Sequence, residues 1–159
     1  MSASYDATPE EVFAIVTDPA FREQACEKTK ALSYDVKVSA SGGDTVVRVS
    51  RKMEATDIPD MARKFVGETL TVVQTETWHP AAADGTRSAD VSGEISNTPV
   101  VMKGTARIAA NGAQTVQSID LEVKVAVPLI GKKLEPIVVD AIRSGLQKEH
   151  DLGHEWSGK

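Results

Sequence analysis

The chain has 159 residues, 41% of them hydrophobic and 26% charged, which sizes it for one globular domain over residues 1–159 that needs no disulfide or metal staple. Eighteen Lys and Arg against 23 Asp and Glu leave a net charge of −5, which argues against nucleic acid or anionic lipid headgroups as partners. Two Trp, two Tyr and three Phe supply no aromatic platform interleaved with basic residues on which bases would stack.

Ala3, Tyr5 and Ala7 alternate with Ser4 and Asp6, the pattern of a short half-buried strand. A helix start follows, with Thr8 as cap, Pro9 at the first helical position and Glu11 closing a capping box before Val12, Phe13, Ile15 and Val16. Asp18 and Pro19 interrupt and restart the pattern, so a second short helix runs to about Lys28. From Ala31 to Val127 the period becomes two. Leu32, Tyr34, Val36 and Val38 alternate with polar residues, Gly42–Gly43 supplies a tight turn, and the returning strand is Thr45–Met53. Asp84–Gly85, Asn97 to Pro99 and Asn111–Gly112 separate further strands at about Glu68–Trp78, Arg87–Ile95, Val100–Ala110 and Thr115–Val127. The connection from Glu54 to Gly67 exceeds a hairpin. Ile58, Met61, Ala62 and Phe65 recur there at helical spacing, as in a cap with a turn or two of helix over a site.

Beyond Pro128 the period returns to 3.6, with Leu134, Val138, Ala141, Ile142, Gly145 and Leu152 on one stripe, so an amphipathic helix is expected from about Lys132 to Trp156. Pro136 is tolerable only in its first turn. A helix of that size is about 37 Å long, enough to cross six or seven strands spaced about 4.8 Å apart. The expected fold is therefore α+β, a curved antiparallel sheet wrapped around one long C-terminal helix.

This order of elements resembles the START-like (SRPBCC, helix-grip) superfamily, which also holds the birch-pollen allergen and polyketide cyclases. More closely, Thr8-Pro-Glu-Glu-Val-Phe13, Arg48-Val-Ser-Arg-Lys-Met53, Asp57-Ile-Pro59, Glu76-Thr-Trp78, Val127-Pro-Leu-Ile-Gly131 with Glu135, and Glu149 to Trp156 are similar to an actinobacterial branch of it, the domain-of-unknown-function family 2505. The resemblance runs almost the whole length and implies a cavity between helix and sheet for an apolar guest such as a lipid, sterol or polyketide.

The residues can be asked independently whether the interior is hollow. The inward parity of the strands carries Val47, Val49, Val72, Ala89, Val91, Gly93, Gly104, Ala106 and Ile108, and Gly145 lies on the inward stripe of the helix. Small residues on both surfaces either leave room for a guest or let helix and sheet backbones pack closely. The same parity points Arg51, Gln74 and Glu76 inward, where they must meet each other, water or a ligand head group; strand curvature at a wet cavity mouth is the plainer alternative. Pairing around the long connection puts Arg51 opposite about Leu70, its guanidinium reaching towards Gln74 and Glu76. On that arrangement Glu76→Gln changes ligand affinity more than stability. Candidate ligand-binding residues are Arg51, Met53, Phe65, Val72, Gln74, Glu76, Trp78, Val91, Met102, Val138, Ile142 and Gly145.

Catalytic signals are thin, and no catalytic residue, cofactor or metal is assigned. His150 and His154 stand at the i, i+4 spacing of a zinc pair, but Asp151 replaces the zincin glutamate and no third ligand is evident. His79 precedes Pro80 in a loop, and Cys26 has no neighbouring His, as befits a packed thiol. That one unpaired cysteine, and a start from Met1 to Glu11 without a hydrophobic leader, point to a cytoplasmic location. The longest apolar stretch, Val125 to Ile130, is broken by Pro128, so no membrane insertion is expected. The leading function is noncatalytic binding or transport of a small hydrophobic ligand. An enzyme of cyclase or aromatase type, with Glu76 and Arg51 as acid–base groups, is the alternative, and a protein-interaction module with a collapsed core is a third.

Overall fold

The computed structural model describes residues 1–56 and 60–158, without the side chains of Met61, Phe65 and Val66. Ile58, expected on a helical face, lies outside the described residues, as do the side chains of Met61 and Phe65. Among the described residues the elements in chain order are β1 Ser2–Tyr5, α1 Pro9–Val16, α2 Pro19–Lys28, β2 Ser33–Ser41, β3 Asp44–Glu54, α3 Asp60–Val66, β4 Thr69–Trp78, β5 Arg87–Ile95, β6 Val100–Asn111, β7 Gln114–Val125 and α4 Gly131–Ser157. Local chemistry explains their ends. Thr8 Oγ1 accepts from the Glu11 N–H at 3.1 Å and Asp18 Oδ1 from the Ala20 N–H at 2.9 Å, each cap followed by a proline whose fixed φ suits the first helical position. Gly42 and Gly43, at φ 57° and 92°, make the primed turn that a right-twisted hairpin favours.

The strands form one antiparallel sheet in the order β1-β7-β6-β5-β4-β3-β2. This is a meander from β2 to β7, with β1 added at the far edge. Period-two patterning sends Val47, Val49, Ala89, Val91, Ala106 and Ile108 into the concave face, where all are buried. They pack with Tyr5, Val12, Val16, Cys26 and Trp78 into the main core at one end of the sheet. At the other end Val100, Val125 and Leu134 form a second core, with Ala62, Ile130 and Val138 against it.

Helix α4 begins and ends one residue beyond the expected Lys132–Trp156 and continues through Pro136. It packs against β7, β1, α1 and α2. Its fully buried residues lie at its two ends, Gly131 and Leu134 in one core and His150, Leu152 and Gly153 towards the other. Between them Val138, Ile142, Gly145 and Leu146 are only half-buried although they occupy the inward stripe. The helix spans the two cores, and what lies under its middle is space. No helix among the described residues is long and apolar enough to cross a membrane.

Candidate functional site

That space is a cavity of about 340 Å³ between α4 and the inner faces of β3 to β7. Its outer part is apolar, with Leu70, Ile95, Val100, Val127, Ile137 and Val138 on the wall. At its inner end, towards the main core, stand Gln74, Glu76 and Glu149, with Arg51 and Thr29 on the flank below α2. Of the residues expected at a ligand site, Arg51, Met53, Val72, Gln74, Glu76, Val91, Met102, Val138, Ile142 and Gly145 line the cavity. Trp78 does not; it is fully buried in the main core, edge-on to Phe13 with ring centroids 5.9 Å apart. Phe65 falls on the undescribed side chains.

The parity of β4 places Glu76 and Gln74 inward as expected, Glu76 between Val47 and Val91 and Gln74 between Val49 and Gly93. The register with β3 differs from the expected one. Arg51 stands opposite Val72, and Leu70 faces Met53. The ladder continues to Glu54–Thr69, and the Ala55 N–H still donates to Glu68 O at 2.9 Å beyond it, so pairing closes further along than the length of the connection suggests. This register brings Arg51 one inward position nearer Glu76 than expected, yet its guanidinium turns the other way. Its Nη1 donates to Thr29 Oγ1 at 3.1 Å.

Glu76 pairs instead with Arg22, which the sequence reading missed. Arg22 Nη2 lies 3.0 Å from Glu76 Oε1 and 2.8 Å from Oε2, Nη1 donates to Glu149 Oε1 at 2.9 Å, and Nε donates to Val16 O at 2.6 Å. Glu76 is saturated further by Trp78 Nε1 at 3.2 Å and Gln74 Nε2 at 3.0 Å. Arg22 is 1% exposed and Glu76 2%. Burial opposes the guanidinium charge, but the two carboxylates outweigh it and hold the Arg22 pKa above its ordinary value. A signal for Arg22 existed: with Phe21, Ala25 and Cys26 it makes the buried face of α2, a cation at an apolar-stripe position.

Cys26, His79, His150 and His154 are not among the residues that line the cavity. Burial pushes the Cys26 thiol pKa up, away from nucleophilic character. His154 tilts over Tyr5 at 4.7 Å between ring centroids, while His150 is 3% exposed. Among the described residues no group of three or more His, Cys, Asp or Glu could hold a metal ion. His79, just past the end of β4, bridges two carboxylates, Nε2 3.0 Å from Asp90 and Nδ1 3.3 Å from Asp44, which raises its pKa.

A family described as "Protein of unknown function (DUF2505)" matches residues 1–156. No curated protein matches the sequence. Among solved structures the fold is similar to TTHA0849 from Thermus thermophilus, with TM-score 0.64 and 16% identity over 99% of this chain and 94% of that one. It is also similar to a STAR-related lipid transfer protein from Xanthomonas axonopodis, at 0.59 and 13% over 96% and 82%, and to Ara h 8.0201, at 0.58 and 13% over 99% and 94%. These likenesses and the sheet-and-helix architecture make this a START-like helix-grip fold.

Proposed function

We propose that this chain, which belongs to the DUF2505 family, binds a small hydrophobic molecule without chemically changing it, holding the molecule between sheet and α4. The observation that carries the reading is the unfilled apolar space itself. At about 340 Å³ it falls in the roughly 300–1,000 Å³ range of small-molecule sites, which are mostly apolar with a few polar groups. An apolar guest occupies a space with so much apolar wall at lower cost than water does.

The inner polar groups support binding over acid–base chemistry. Both oxygens of Glu76 are committed to Arg22, Trp78 and Gln74, leaving no proton-accepting position for a substrate. The likeness to a lipid transfer protein supports a lipid- or polyketide-like guest. The buried, unpaired Cys26 supports action in the reducing cytoplasm. Native mass spectrometry of protein purified from its own host, compared with denatured protein, tests the reading. The expected result is a retained mass of a few hundred daltons that denaturation releases; an empty protein that also fails to take up the neutral probe 1-aminoanthracene refutes it.

A further inference from the structure

The inner end of the cavity is lined by an ion cluster seen from its acidic side. Arg22 is sealed behind the wall, whereas both of its partners, Glu76 and Glu149, are on the wall. The cluster holds one guanidinium against two carboxylates. Among the described residues its unused acceptors are these: Glu149 bonds through Oε1 alone, and Gln74, which gives one of its two N–H groups to Glu76, takes no donor at its carbonyl oxygen. Glu149, on the inner face of α4, keeps 11% side-chain exposure and lines the cavity. The cation on the flank, Arg51, is half-buried and turned towards Thr29 at the end of α2.

Resting on the binding reading above, we propose that this cavity selects an apolar guest whose polar end donates a hydrogen bond, an alcohol or phenol, and rejects a guest whose polar end is a carboxylate. A hydroxyl entering the inner end finds the free Glu149 oxygen and the Gln74 carbonyl, and a donor to a carboxylate forms the stronger, charge-assisted kind of hydrogen bond. An ether or ester leaves those acceptors unmatched. A carboxylate brings a third like charge against Glu76 and Glu149 where little water screens it. The selectivity lies in Glu149 and Gln74, because Glu76 has no free position.

Three probes with a ten-carbon chain separate these cases by displacement of 1-aminoanthracene: 1-decanol, 1-methoxydecane and decanoate at pH 8. The expected order of affinity is decanol, then the ether by about tenfold weaker for one lost charge-assisted hydrogen bond, then decanoate. A general preference of any apolar pocket for uncharged molecules would also disfavour decanoate, so two further comparisons decide. Decanol must exceed the ether, and Glu149→Gln must narrow the gap between decanol and decanoate. Equal binding of decanol and the ether, or decanoate binding as tightly as decanol, overturns the selectivity while leaving the cavity a binding site. Failure of all three to displace the bound probe overturns the selectivity while the probe's own uptake upholds the binding reading; no uptake of the probe removes both. If Glu149→Gln does not fold, as its melt would reveal, decanol against the ether on the unaltered protein still decides the preference for a donor, and decanoate binding as tightly as decanol still overturns the rejection of a carboxylate.

Discussion

Arg22 carries its charge where almost no water reaches it, and so does Glu76. Removing one partner of such a pair strands the other, at about 3–5 kcal/mol, whereas a solvated pair would cost about 0–1. Glu76→Gln is therefore expected to lower stability in urea denaturation by about 3 kcal/mol, the lower end because Glu149 still holds Arg22. A loss under about 1 kcal/mol would show the site to be hydrated. This reverses the sequence-based expectation that the change is felt mainly in ligand affinity. What was legible at this scale was the need: the parity of Trp78 and Val72 along β4 forces Glu76 inward, and a buried carboxylate demands a donor. The donor's identity was not legible. Arg22 is 54 positions away on a helix whose orientation over the sheet no strand periodicity records, whereas Arg51 sits on the neighbouring strand and is the nearer guess.

At the scale of elements, the small inward residues divide into two kinds that sequence cannot separate. Gly104 in β6 lies so close to the backbone of β7 that a Cβ would collide with Asp120 O; Gly145 in α4 has nothing within 4 Å of the position a Cβ would take. The first glycine is there for close packing and the second borders the cavity. Gly104→Ala is expected to destabilise at or above the upper end of the ~1–3 kcal/mol typical of overpacking, because backbone rather than a flexible side chain must move. Gly145→Ala, by contrast, is expected to stabilise by about 1 kcal/mol through helix propensity. Thermal melts of the two variants moving in the same direction would contradict the division. Element identities were legible because period two, period 3.6 and the turn glycines each have a local cause. Register was not, since Arg51 opposite Val72 rather than Leu70 depends on how far pairing continues into the connection after Glu54. The middle of α4 reads as a continuous apolar stripe in sequence, yet only its ends are sealed, because a stripe specifies which face turns inward and not whether anything meets it.

For the whole molecule, two histidines give the pH dependence of stability opposite signs. His79, half-buried between Asp44 and Asp90, has its pKa raised, by the hydrogen bond to Asp90 first. Its contribution is present below the unfolded value of about 6.5 and is lost as pH rises through the folded one. His150 behaves in the other sense. It is buried on the face of α4 that packs towards β1, and its Nε2 has no hydrogen-bond partner among the described residues. Burial foremost, with His154 and the N-terminal ammonium, lowers its pKa, while Glu149 and Asp151 act against that fall. The unfolded chain takes up a proton near pH 6.5 that the folded chain refuses, so the fold loses stability as pH falls from about 6.5 towards the folded value. His150→Leu removes both the unpaired buried nitrogen, an expense of about 1–3 kcal/mol at any pH, and the proton that the fold excludes. The variant should therefore be more stable than the unaltered protein at pH 8, with the advantage widening at pH 5.5. Comparing the two proteins at each pH cancels the titration of every carboxylate they share, provided those sites respond independently. Urea midpoints of the two proteins that fall in parallel from pH 8 to 5.5 would mean that His150 takes its proton as readily folded as unfolded, and that water reaches this end of α4.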